Sequence, residues 1–249
     1  MLFRSYENGT SLEEIADLIL NSYDHAPICE TAEFLDFSDF DKAKEHITFK
    51  LLNTAINRKY MEGMAHLDYL DLSLVFYCTM VTAIDQQIYS SRISQELLDQ
   101  WQVSLPVLYD LARINTERML GVYLKEVRDV FLEMSAGWLP AYENEELIEA
   151  LDSEERTPMY ILSNQSRYAG AGTVLLDGVM QSLADQLDDD LYIIPSSIHE
   201  VLLIPCHGRL NRTDIDEMVR DVNRSTLMPE ELLSDHAYVY CREDDRIVM

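Results

Sequence analysis

The stretch Leu191-Tyr192-Ile193-Ile194-Pro195-Ser196-Ser197-Ile198-His199-Glu200-Val201-Leu202-Leu203-Ile204-Pro205 sets two strongly β-prone runs around a short polar segment. Aliphatic runs bounded by proline and serine read as two strands joined by a tight turn. The turn holds two serines, a histidine and a glutamate. Such a layout either builds a site at the tip of a hairpin or simply satisfies the turn, and the residues alone leave both open.

Reading outward, the last third runs strand, helix, strand, strand, helix, strand, strand. Met159 to Leu162 is the first strand and ends at Ser163-Asn164. Gly170-Ala171-Gly172-Thr173 leads into a helix with Leu176, Val179, Met180, Leu183 and Leu187 on one face, closed by Asp188-Asp189-Asp190. Thr213 starts a helix with Ile215, Met218, Val219 and Val222 inward, and Ala237 to Cys241 pairs with Arg246 to Met249 as a hairpin. Upstream, Glu143 to Arg156 holds seven acids and one arginine and reads as an acidic connection. The middle is helical. Ser104 caps a helix with Pro106 in its first turn. Leu108, Leu111, Ala112 and Met119 share its inner face with Asn115. Val127, Val130, Phe131 and Met134 mark another helix.

In the first half, Asp71 to Val81 is the clearest strand, and its second face carries Val75 and Tyr77, so both faces are covered. Ile47 to Leu52 is a strand ending at Asn53, followed by a short helix from Asn57 to Met64. Ser38 or Asp39 caps a short helix, and Ser11-Leu12-Glu13-Glu14 is a capping box for a longer one. The order strand–asparagine–helix–strand therefore occurs twice, at Ile47 to Val81 and at Met159 to Pro205, which implies two related β-α-β halves.

Length and composition bound the function. The 249 residues suffice for a sizeable core, and a net charge of −26 disfavours direct nucleic-acid binding, because a phosphate backbone would be repelled. No apolar run reaches the roughly 18–20 residues of a membrane span, and Met1 to Asn8 lacks the pattern of a signal peptide. The four cysteines are spread without a C-x-x-C pair, which predicts free thiols in a reducing cytoplasm.

Four segments carry a resemblance: Met159-Tyr160-Ile161-Leu162-Ser163-Asn164, Leu191 to Pro205, Leu233-Ser234-Asp235-His236-Ala237-Tyr238-Val239-Tyr240, and Leu70-Asp71-Leu72-Ser73-Leu74-Val75-Phe76-Tyr77. Together they resemble DUF5688, an uncharacterised family of Firmicutes proteins common in gut clostridia, over most of the chain. The serine-serine-isoleucine-histidine-glutamate segment is its most specific element. A more distant similarity links strand and helix order to DUF1444. The resemblance implies no activity and no catalytic residues. Family members begin with a further segment before the part matching Leu2 to Ile19, which implies a fragment or a short start.

Two constellations could carry chemistry. Ser196, Ser197, His199 and Glu200 supply the residue types of a hydrolase: a nucleophile, a base and an orienting acid. The alternative is that the serine hydroxyls bond backbone amides and shape the turn. The second constellation lies in two windows nearly free of acids, Arg156 to Leu176 and Leu191 to Thr213, where Glu200 stands alone. Asn164, Arg167, His199 and Arg209 are the candidate ligand-binding residues there, and the backbone N–H groups of Gly170 to Thr173 could add anion donors. Buried strands also exclude carboxylates, because a buried charge is costly. The acidic clusters Asp188-Asp189-Asp190 and Asp36/Asp39/Asp41 lack calcium-loop spacing, and His199-Glu200 lacks a second histidine at Leu203, so neither a metal nor a cofactor is predicted. Asn115 on an apolar face must find partners and is expected to pin the middle helix to a backbone segment.

The expected fold is α+β: a largely antiparallel sheet with helices packed on it and a helical middle layer. It forms a single compact unit, 1–249, with sub-halves 1–140 and 157–249 joined by the acidic connection 141–156. The expected function is that of a cytoplasmic accessory protein acting on an unknown protein or small-molecule partner. The alternatives are a hydrolase-like enzyme at Ser196/Ser197/His199/Glu200 and nucleic-acid mimicry, which needs most acids on one face. No membrane partner is expected.

Overall fold

A computed structural model describes residue 11 and residues 37–82, 87–135, 157–208, 210–226 and 228–249. The helix expected after Ser11, the acidic connection and Arg209 lie outside the described residues. The chain divides into two units, Met1–Leu35 and Asp36–Met249, and every element named below belongs to the second.

In chain order the elements are α1 (Phe40–Ala43), β1 (Ile47–Asn53), α2 (Thr54–Asn57), β2 (His66–Tyr69), β3 (Leu72–Val81), β4 (Ile88–Arg92), α3 (Gln95–Trp101), α4 (Leu105–Leu120), β5 (Tyr123–Glu126) and α5 (Val127–Ser135). There follow β6 (Tyr160–Ser163), a 3₁₀ turn (Gly170–Leu175), α6 (Val179–Leu187), β7 (Leu191–Ile194), β8 (Val201–Pro205), α7 (Arg212–Thr226), a 3₁₀ turn (Pro229–Glu231), β9 (Tyr238–Cys241) and β10 (Arg246–Val248). The fold is α+β, with antiparallel sheets and helices packed around them.

The first sheet is organised by β3. Its leading eight residues are all buried, as expected of a strand apolar on both faces. One edge pairs with β1, from Ile47 opposite Cys78 to Asn53 opposite Leu72. The other edge is shared end to end by β2 and β4, which pair with Leu72–Val75 and Tyr77–Val81 respectively. Phe76 sits at the junction: its N–H donates to Ala65 O at 3.3 Å, and its carbonyl accepts from Ile93 N at 3.1 Å.

The second sheet has the order β10-β9-β7-β8-β6-β5. The quoted stretch forms the β7–β8 hairpin, with Leu191 opposite Pro205 and Ile194 opposite Leu202. Its Leu191, Ile193, Val201 and Leu203 face a core shared with Phe49, Leu74, Phe76, Leu108 of α4 and Leu183 of α6. Ile194 and Ile204 face the other way, onto Ile215 and Val219 of α7.

The echo in element order extends to strand order. β1 pairs with β3, the second strand of the hairpin that follows it, and β6 likewise pairs with β8. An asparagine closes each leading strand. Asn53 accepts from Ile56 N at 2.9 Å, and Asn164 accepts from Ser166 Oγ at 2.8 Å and Tyr168 N at 3.3 Å.

Asn115 is buried and donates to Lys44 O at 2.8 Å and Ile47 O at 3.0 Å, pinning α4 to the start of β1 as expected. Two local expectations are corrected. The helix after Asn53 begins at Thr54 rather than Asn57, because Asn53 itself caps it, and Gly63 at φ +74° lies in the turn beyond. In α7, Met218 and Val222 are 47% and 43% exposed, because the outer apolar cluster of the second sheet reaches Ile215 and Val219 and includes neither.

Candidate functional site

Backbone hydrogen bonds fix the hairpin tip from three sides. Ser197 Oγ accepts from His199 N at 3.0 Å, and Ser197 N donates to Glu200 O at 3.1 Å, a serine turn of the usual local kind. Ile198 N donates to Glu231 O at 2.9 Å, and Ile198 O accepts from Ala171 N at 3.1 Å. His199 O accepts from Gly170 N at 3.0 Å and from Ser163 Oγ at 2.7 Å. Glycine is required at 170: a Cβ there would lie 2.5 Å from Asn164 N and 2.9 Å from His199 O, and closer still to Ser163 Oγ. The amides of Gly170 and Ala171 are therefore spent on the hairpin rather than left for an anion.

The same packing orients the imidazole. Nδ1 accepts from Ala169 N at 3.1 Å, which places the proton of the neutral ring on Nε2. Nε2 lies 3.8 Å from Glu231 Oε1, and the Tyr168 ring is 5.3 Å away, centroid to centroid.

His199 borders a cleft of about 340 Å³ over the outer face of β1 and β3. Such a volume falls within the roughly 300–1,000 Å³ of small-molecule sites. Lys50 of β1 forms its floor. The ammonium lies 4.4 Å from the centre of the Tyr77 ring and 5.2 Å from that of Tyr168, and donates to Ser90 Oγ at 3.2 Å. Burial alone holds its pKa below the ordinary lysine value, and among the described residues no carboxylate pairs with it. Tyr77 Oη and Tyr60 Oη are 3.1 Å apart. Burial, then the bond to Tyr60, pushes the Tyr77 phenol well above its ordinary range. Leu52 and Ile198 add apolar wall, and Glu230 and Glu231 form an acidic rim.

Of the residues singled out from sequence, the structure brings His199 to the cleft. Ser197 is buried within the turn, and its hydroxyl meets the backbone of His199. Ser196 and Glu200 are half-buried beside it, and among the described residues the Glu200 carboxylate pairs with neither Arg167 nor His199. Asn164 is buried and builds the 164–168 turn, donating to Tyr168 O at 2.9 Å. Arg167 lies 4.2 Å from the Tyr123 ring centre and bonds its hydroxyl. The Asp188–Asp190 cluster is tied down: Asp188 and Asp190 to Arg242, Asp189 to His207. Among the described residues, no three metal-ligating side chains converge.

Sequence reasoning missed Lys50, Tyr60, Tyr77, Tyr168 and Glu231. A signal for Lys50 existed. It is the lone charge in the strand Ile47–Asn53 and stands opposite Val75, on the face whose apolar residues already implied cover.

The fold and site define an antiparallel α+β protein whose clamped hairpin borders a lysine-floored cleft. The chain belongs to a family of unknown function, DUF5688, whose model matches residues 1–242. No curated protein and no solved structure matches it. Among the described residues, no helix is long and apolar enough to cross a membrane.

Proposed function

We propose that this protein binds a small anionic ligand in the cleft over Lys50, with His199 fixed at its border. The observation that carries the reading is Lys50 itself. Burial in the cleft disfavours the charged form of Lys50, and no carboxylate among the described residues offsets that. Here two tyrosine rings and one serine stand in, and an incoming anion would supply the missing charge. The hairpin serves this role by holding His199 still.

A hydrolase at the same hairpin needs a serine bonded to the imidazole. Nδ1 instead takes the Ala169 amide, and Ser197 Oγ takes the His199 amide, so binding is the better-supported reading. The described cysteines, Cys78, Cys206 and Cys241, are free thiols, which supports placing the protein in a reducing cytoplasm.

The test is thermal denaturation in the presence of acetate, benzoate, 4-hydroxybenzoate or inorganic phosphate. At least one should raise the Tm of the wild-type chain and leave that of Lys50→Gln unchanged. No shift with any of them, or an equal shift in Lys50→Gln, would overturn the reading.

A further inference from the structure

The cleft carries opposite charges that do not meet. Lys50 lies on its floor, Glu230 and Glu231 on its rim, and no ion pair joins the lysine to either glutamate. Tyr77, Tyr168 and Ile198 line the same cleft, and His199 Nε2 lies 3.8 Å from Glu231 Oε1. Glu231 is well placed to act from the rim. Its backbone carbonyl accepts from Ile198 N at 2.9 Å, and its carboxylate accepts from Met228 N at 3.4 Å while staying 38% exposed.

We infer that the ligand is a small zwitterion, a free amino acid, whose carboxylate sits on Lys50 and whose ammonium faces Glu231 and Glu230, with its side chain against the tyrosine rings. This rests on the reading of Lys50 as the anion receptor and extends it to the other end of the ligand. Each group of such a ligand answers one present in the cleft. The carboxylate supplies the partner Lys50 lacks. The ammonium offers three donors to carboxylates that accept and cannot donate. A purely anionic ligand answers Lys50 and leaves the two glutamates unanswered, and a purely cationic one does the reverse. The zwitterion answers both ends and so gains a contact that either simpler ligand lacks. A cleft of about 340 Å³ has room for an amino acid with an aliphatic or aromatic side chain.

The experiment is calorimetric titration of the 249-residue chain with each of the standard free amino acids up to millimolar concentration. The best binder is then compared with its N-acetyl and its carboxamide derivatives. The free amino acid should bind at least about tenfold more tightly than either blocked form, since each removes one charged contact. Glu231→Gln should erase the preference over the N-acetyl form, and Lys50→Gln the preference over the carboxamide. Both variants should melt cooperatively, with circular dichroism spectra like that of the wild type. If the N-acetyl form binds as well as the free amino acid while the carboxamide does not, the zwitterion is refuted and the anion site stands. If Lys50→Gln leaves every affinity unchanged, both fall. If no amino acid binds, the zwitterion is refuted, and the anion panel alone then decides the fate of Lys50.

Discussion

Replacing Gly170 with alanine tests how the hairpin is held. Two hydrogen bonds converge on His199 O, from Gly170 N at 3.0 Å and Ser163 Oγ at 2.7 Å. A methyl at 170 would reach to 2.5 Å from Asn164 N and 2.9 Å from His199 O, and neither backbone group can swing aside as a flexible side chain would. The 3₁₀ turn and the hairpin tip must separate. Losing two net hydrogen bonds costs about 1–3 kcal/mol. Overpacking against fixed atoms adds about 1–3 kcal/mol, so the expected loss is about 2–6 kcal/mol. The assay is urea unfolding followed by circular dichroism, with Gly178→Ala as the comparison. Gly178 sits at φ +71° with nothing within 4 Å of a built Cβ, so alanine there bears backbone strain alone, about 1 kcal/mol. A Gly170→Ala loss no larger than that of Gly178→Ala would refute the argument that close approach fixes the hairpin.

Two further outcomes follow from named contacts. Asn115→Ala removes the amide that donates to the part-buried Lys44 O and the buried Ile47 O. Urea unfolding should show a loss of about 1–3 kcal/mol, and a loss within error would mean that water replaces the amide. Lys50→Met should unfold at higher urea than the wild type at neutral pH, because it removes a desolvated charge that no carboxylate offsets. The sign also sets a pH dependence. Folded Lys50 releases its proton at lower pH than the unfolded chain, whose lysine stays near the ordinary 10.5. Between those two values the unfolded state holds the extra proton, so wild-type stability gains with pH relative to Lys50→Met. Parallel stability–pH curves for the two proteins would contradict it.

The strands that the sequence revealed are those whose residues must all be buried. β3 and the β7–β8 hairpin read clearly because packing on both faces leaves no polar position to blur the pattern. β2 and β4 escaped because they lie along the outer edge of β3. Their residues, His-Leu-Asp-Tyr and Ile-Tyr-Ser-Ser-Arg, are mostly half-buried or exposed, so nothing forces alternation upon them. The exposed Met218 and Val222 mislead in the opposite sense, since an apolar stripe predicts cover that the described outer cluster does not provide. The site divides in the same way. His199 was legible because its unusual neighbours are adjacent in sequence. The cleft was not, because it joins β1, β3, the 164–169 turn and the 229–231 turn through contacts across most of the chain length.

The central claim, that Lys50 is a desolvated cation awaiting an anion, can be measured by NMR titration of the lysine side-chain ammonium and ε-carbon signals, with Lys50 assigned through Lys50→Arg. Burial predicts that Lys50 titrates below the ordinary lysine value of 10.5, and that a ligand binding through its carboxylate moves that titration upward, because the new negative charge favours the ammonium. A Lys50 that titrates together with the exposed lysines and does not respond to any of the tested anions or amino acids would contradict the account.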